Sequence, residues 1–199
     1  MIRRAVLILA IGSASCLGPR SDASTFYVLS ATATPAPAGS SMAVILGLGP
    51  VTLPGYLDRS EVVTRLSANQ LSVSQVERWA QPLDESVVRA LEMNLNRLVR
   101  PDGIVGYPWY ASEGVVYGVE IDFTRLEADS TGRVTIAADW AVMNGDREET
   151  LYRDQSTLSE PANGPTAEAA VAAMSRALAQ LSEQIAANLR RVHSGAGGR

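Results

Sequence analysis

The chain has 199 residues, 46% of them hydrophobic and 19% charged, with a formal net charge of -4. That balance suits one globular domain with a proper core plus tails, and it speaks against nucleic acid, whose phosphates need a basic stripe. Its 17 basic residues other than the one His are all Arg, which removes a Schiff-base lysine and a P-loop lysine from consideration.

The first 16 residues read "MIRRAVLILAIGSASC". Arg3 and Arg4 precede an apolar run from Ala5 to Ile11, and small residues lead to Cys16. This is the layout of an export signal over residues 1–15, too short for a membrane span, which needs ~20 apolar residues. Cys16 is the only cysteine, so it has no disulfide partner in the chain. One reading is a free thiol, or a thiol lost with the leader. The sharper one is a lipoprotein whose Cys16 receives diacylglycerol and becomes the first mature residue. Ser13 stands where such signals usually carry Leu. Leu17, in place of an Asp that would hold an enteric lipoprotein at the inner membrane, points to the outer membrane.

Residues 16–41 then form the lipidated Cys and a tether with a short first strand. "TFYVLS" (25–30) is the strand candidate, and "ATATPAPAGSS" (31–41) reads as an Ala/Pro/Ser loop that cannot pack. The folded domain is expected over 42–192, with a flexible tail at 193–199. "MAVILGLG" (42–49) suits a strand buried on both faces. Pro50 and Pro54 cannot donate to a ladder, so pairing should loosen there.

"VTLPGYLDRSEVVTR" (51–65) poses the central question, since it could be a binding loop or only a connection between strands. Pro54-Gly55 signals a turn. Asp58 and Glu61 resemble a capping box, but Val62, Val63 and Thr64 favour strand. The stretch predicts a hairpin with strands 61–66 and 71–75. Asp58 is then expected to close the turn onto backbone N–H groups, or to pair with Arg59 or Arg65.

A helix is predicted before Pro101, with an apolar stripe at 87, 88, 91, 95, 98 and 99 and Asp84 as its N-cap. Trp79, beside Pro82, sits just ahead of it, as a plug at the core edge or, in the rarer case, as an exposed contact. Alternation over 115–127 and 133–142 predicts two strands, and a third is expected at 148–157, making an antiparallel meander. A long helix of about 166–191 closes the domain. Its stripe is Val171, Met174, Leu178, Leu181, Ile185 and Leu189. The fold class is therefore α/β (α+β): one domain with a mixed, mostly antiparallel sheet packed against two long helices.

Little of this carries chemistry. The sole His, His193, is placed in the tail, so a His-based triad or a multi-His metal site within one chain is ruled out. No cofactor and no metal site is expected. Glu120 with Asp122, and Asp84 with Glu85, are carboxylate pairs. The first suits the wet face of a sheet, and the second suits a helix N-terminus. Neither marks a catalytic cleft.

Residues 49–99 resemble the PqiC/YmbA family of ABC-type transport auxiliary lipoproteins. The resemblance rests on Val51, Leu53, Pro54, Tyr56 to Arg59, Val63, Arg65, Arg78 to Ala80, Pro82, Leu83, Asn94 and Leu95, helped by the "FYVL" and "DW" strands. It implies an α/β sandwich with a mixed sheet and an accessory role. Partners would be MCE-domain proteins and inner-membrane transporter components that move phospholipids across the periplasm. A membrane would be reached through the lipid anchor, no nucleic acid would be involved, and a homo-oligomer is compatible with it. The family carries over no catalytic residues. Within the motif, Tyr56, Arg59 and Trp79 are the candidates for a partner interface, and Pro54, Asp58, Arg65 and Pro82 for a structural role. Two alternatives stay open: an outer-membrane assembly or binding lipoprotein unrelated to lipid transport, and a periplasmic carboxylate hydrolase.

Overall fold

The computed structural model describes residues 23–196. The leader, Cys16 and residues 17–22, on which the signal, lipidation and the start of the tether were expected, lie outside the described residues, as do 197–199. The elements run β1 (Thr25–Tyr27), β2 (Ile45–Thr52), β3 (Glu61–Ser67), β4 (Gln70–Trp79), α1 (Leu83–Val99), β5 (Gly103–Gly106), β6 (Val115–Asp129), β7 (Arg133–Asn144), β8 (Thr150–Pro161) and α2 (Ala167–Ala196). The architecture is α+β, one mixed eight-stranded sheet with two helices.

β6 organises the sheet because its 15 residues are long enough to carry three partners. β7 pairs antiparallel along nearly its whole length, and β8 extends the meander. The opposite edge of β6 is shared. β2 lies parallel to its first half, from Val115 to Asp122, and β3 lies parallel to its end, at Ala128 and Asp129. The sheet therefore forks: β5 joins β2 on one branch, and β4 then β1 join β3 on the other. The chain moves from one branch to the other through residues 53–60. Pairing of β2 with β6 shifts register between Leu48 and Val51, around Pro50, which has no N–H to give.

Both helices cover one face, α1 over β2 and β5, α2 over β6, β7 and β8. The predicted stripe of α2 is buried throughout, with Leu178, Leu181, Ile185 and Leu189 at 0% exposure. It meets Val134, Ile136, Ala138, Trp140 and Val142, the inward positions of β7, in one hydrophobic core. Arg190 of α2 donates to the Leu98 carbonyl near the end of α1, tying the helices together.

Several details depart from the sequence reading. β5 was not anticipated, since "GIVG" is too short to show alternation. α1 starts one residue before Asp84: Pro82 takes the cap position with no side-chain hydrogen bond, and Asp84 and Glu85 sit in the first turn, where they complement the helix dipole. α2 continues to Ala196, and the ring of His193 lies in its last turn with Nδ1 3.4 Å from the Tyr117 hydroxyl.

The Ala/Pro segment 31–41 does pack, contrary to expectation. Ala33 is 1% exposed, and its N–H donates to Asn94 Oδ1 of α1 at 3.0 Å. Arg97 donates to the Ala31 carbonyl, and the Thr32 hydroxyl to the Ser175 carbonyl of α2. Small side chains let this extended segment lie directly on the helices as a strap, its backbone satisfied by helix side chains instead of a ladder.

Candidate functional site

The motif segments 51–60 and 79–84, far apart along the chain, line one cleft of about 660 Å³. One wall is the corner between the two branches of the sheet. The other is the approach to α1. Pro54, Asp58, Arg59, Trp79 and Pro82 all line it, so the structure brings together most of the residues singled out in the sequence.

The corner is built by its own backbone. Leu57 N–H donates to the Pro54 carbonyl at 2.9 Å, Asp58 N–H to Gly55, and Arg59 N–H to Leu57. The first two bonds make a single 3-10 turn over Gly55–Leu57. Leu57, 3% exposed, pins the turn to the core, and the Trp79 N–H to the Ser60 carbonyl at 2.7 Å ties the two walls together. Asp58 and Arg59 are left on the surface. Arg59 Nε reaches back to the Tyr56 carbonyl at 2.9 Å.

One expectation needs correction here, and Trp79 takes the packing role among its two readings. Arg65 does not pair with Asp58. It turns to Glu127, Nε to Oε1 at 2.5 Å. Trp79 is 5% exposed and belongs to the core, so its indole is packing under the cleft and presents almost no surface to a partner. Tyr56 also faces inward, its hydroxyl donating to Glu127 Oε2 at 2.6 Å. Arg59 alone of the three interface candidates stands in the open.

Glu127 was missed by the sequence reading, and it is the polar centre of the fork. A bulge in the β6–β7 ladder between Phe123 and Arg125 shifts the alternation. Leu126 and Ala128 then face the core, and Glu127 turns to the opposite side. There its side chain is wholly covered, receiving Tyr56, Arg65, Arg125 Nε at 3.1 Å and the Leu126 N–H at 3.2 Å. Burial pushes its carboxyl up, but the hydrogen bonds from Tyr56, Arg65 and Arg125 outweigh that and hold it below the ordinary range. Tyr56 is pushed up to about 12 by burial, then by its bond to Glu127 and that group's charge. The cluster seals the gap where β2 has ended and β3 has not yet joined β6. It also braces the corner loop from behind.

A second cluster sits on the helix-free face. The Trp109 indole lies against the backbone of β2 and β6, where Gly47 and Gly118 leave room. A Cβ on Gly47 would come within 2.7 Å of the ring, and one on Gly118 within 2.9 Å. Trp109 Nε1 donates to the Gly145 carbonyl at 2.8 Å, and the Arg147 guanidinium lies 4.6 Å from the Tyr107 ring and 5.6 Å from that of Trp109. The same Arg147 pairs with Glu120 at 2.6 Å, and Asp122 accepts from the Thr52 hydroxyl. The carboxylate pair of β6 is thus engaged in side-chain contacts on the sheet surface. The signal available in the sequence was the aromatic run "YPWY" at 107–110, with two glycines in otherwise bulky strands.

Among the described residues no group of three or more His, Cys, Asp and Glu is arranged to hold a metal ion, and no helix is long and apolar enough to cross a membrane. What the site offers is a surface cleft with an apolar floor and a rim of Asp58, Arg59 and Asp84, stiffly backed by a buried ionic cluster.

These features define a two-layer α+β domain with a braced surface cleft. Residues 27–186 match the family described as the ABC-type transport auxiliary lipoprotein component, and the chain belongs to that family, the PqiC/YmbA type. A crystal structure of a Xanthomonas campestris protein of family DUF330 has a similar fold, with a TM-score of 0.73 and 18% identity over 88% of this chain and 100% of that one. A second crystal structure, of an uncharacterized protein, gives a TM-score of 0.68 and 20% identity over 83% of this chain and 98% of that one. At these identities the likeness concerns the fold. No curated protein sequence matches the chain.

Proposed function

We propose that this protein is an envelope lipoprotein held by Cys16 at the periplasmic face of the outer membrane. In this reading it is an accessory component of an MCE/ABC-type system that moves phospholipids between membranes. It acts by anchoring and docking and performs no bond-breaking chemistry. The family description supports the auxiliary transport role. The observation that carries the docking role is the convergence of 51–60 and 79–84 on one open cleft. Loops on rigid scaffolds are where recognition concentrates, and an exposed Arg at the rim is a residue type interfaces favour.

Co-purification from solubilised membranes tests the reading. Arg59→Glu reverses the rim charge at an exposed side chain and should leave the unfolding temperature unchanged. Tyr56 is unsuitable for this purpose, because its hydroxyl is part of the bracing cluster. The expected result is capture of an MCE-domain protein by the tagged wild type and its loss with Arg59→Glu. Equal capture by both would remove the cleft from the interface, and no such protein in either would overturn the transport assignment.

A further inference from the structure

Phe26 and Val28 are 61% and 56% exposed, the most exposed large hydrocarbon side chains among the described residues. They flank Tyr27 on the edge of the β1–β4 branch. Tyr27 pairs with Trp79 and faces inward with it, which leaves Phe26 paired with Arg78 on the other side. Val76, 44% exposed, shares that side of β4. Arg78 of β4 is bonded to Glu61 at 3.0 Å. The hollow beside Phe26 and Val28 is bordered by Glu160, Glu168, Arg176 and Glu183, with Arg176 held by Glu160 at 3.2 Å, so the exposed hydrocarbon stands out from an acidic border.

This edge is also tightly held. Ala80 N–H donates to the Tyr27 carbonyl at 2.9 Å, Ser30 N–H to Ser175 Oγ at 3.1 Å, and Arg78 Nε to Ser24 Oγ at 3.3 Å. Onward the strap fastens to both helices. Only residues 17–23 separate Cys16 from the bonded Ser24, a reach of at most about 28 Å fully extended. A lipid on Cys16 thus places its membrane within that reach of β1, whereas β5 lies at the other end of the strand order β1-β4-β3-β6-β2-β5.

We propose that the β1 edge, with Phe26 and Val28 at its tip, rests against the lipid surface into which Cys16 is anchored. The proposal rests on the reading of Cys16 as the lipidated residue. The two acyl chains of the diacylglyceryl group hold the protein to the membrane by themselves, and the apolar contact adds to them. The contact also gives orientation: a domain seated on β1 turns its β5 end, with Tyr107, Trp109 and Tyr110, into the periplasm.

The test uses the full lipidated chain in vesicles of phosphatidylethanolamine and phosphatidylglycerol carrying brominated acyl chains. Acylation occupies the only native thiol, so an introduced cysteine is the sole site for a fluorophore. Val28→Cys reports on the β1 edge, and Ser112→Cys, exposed in the turn Ala111–Glu113, reports on the far end. The expected result is loss of fluorescence to brominated lipid at position 28 and none at 112, with the loss at 28 reduced when Phe26→Ser is added. A vesicle-bound protein whose probe at 28 is unquenched overturns the proposal while the Cys16 anchor stands. A chain without introduced cysteine that takes the fluorophore at Cys16 and does not float with vesicles overturns both.

Discussion

Replacing Glu127 by Gln keeps the shape of the fork and removes its charge. Oε1 accepts from Arg65 and Arg125, and Oε2 from Tyr56 and the Leu126 N–H. A Gln can place its carbonyl toward the arginines, but its NH2 then faces the Leu126 N–H, donor against donor. The two arginine bonds lose the carboxylate charge, at about 1 kcal/mol each, and one buried donor loses its partner at about 1 kcal/mol more. Arg65 and Arg125 are partly exposed, so the lower end of the range applies. The expected loss is about 3 kcal/mol, which for a domain of this size lowers the unfolding temperature by roughly 6–12 °C. Urea unfolding across pH supplies the sharper check. The Glu127 carboxyl is held below its unfolded value, so its contribution is complete above the ordinary carboxylate range and fades as pH falls through the folded value. The gap between wild type and Glu127→Gln should therefore be widest near neutrality and narrow in acid. A variant within 1 kcal/mol of wild type, or a gap indifferent to pH, would refute the bracing role.

Tyr56→Phe removes one bond to the same carboxylate and should cost about 2 kcal/mol. In alkaline titration the wild type should show a tyrosine ionising at about 12 that the variant lacks. That group's folded value is raised, so its stabilising contribution holds below the ordinary tyrosine value and is lost as pH climbs toward 12. Gly47→Ala drives a methyl to within 2.7 Å of the Trp109 ring. It should destabilise by about 1–3 kcal/mol and shift tryptophan emission to the red as the indole is displaced; unchanged emission would show that the slot is not needed. Trp79→Ala should cost about 3–5 kcal/mol in urea unfolding, as for other buried aromatics, and a variant as stable as wild type would contradict its place in the core.

The parts of the fold legible from sequence are those where burial imposes a period. The stripe of α2 from Val171 to Leu189 and the alternation from Val134 to Val142 each face one core, and both were read correctly. The hairpin of β3 and β4 was found, though β4 runs on to Trp79. What escaped depends on contacts between segments distant in sequence. The bulge after Phe123 moves Glu127 to the other face, and nothing local announces it. Arg65 could be seen to need a carboxylate, but Asp58 was the near candidate and Glu127 the actual partner. The strap at 31–41 looks structureless by itself because its hydrogen-bond partners, Asn94, Arg97 and Ser175, belong to the helices. The cleft residues were named from the motif, but their convergence required the fork in the sheet.

The docking claim is tested most directly by asking what touches the cleft in the cell. A photoreactive amino acid in place of the exposed Asp58, at the rim, leaves the buried cluster untouched. Irradiation of intact cells followed by identification of the adduct should yield an MCE-domain protein, and adding Arg59→Glu should abolish it. Adducts only with unrelated envelope proteins, or an MCE adduct indifferent to Arg59→Glu, would contradict the account.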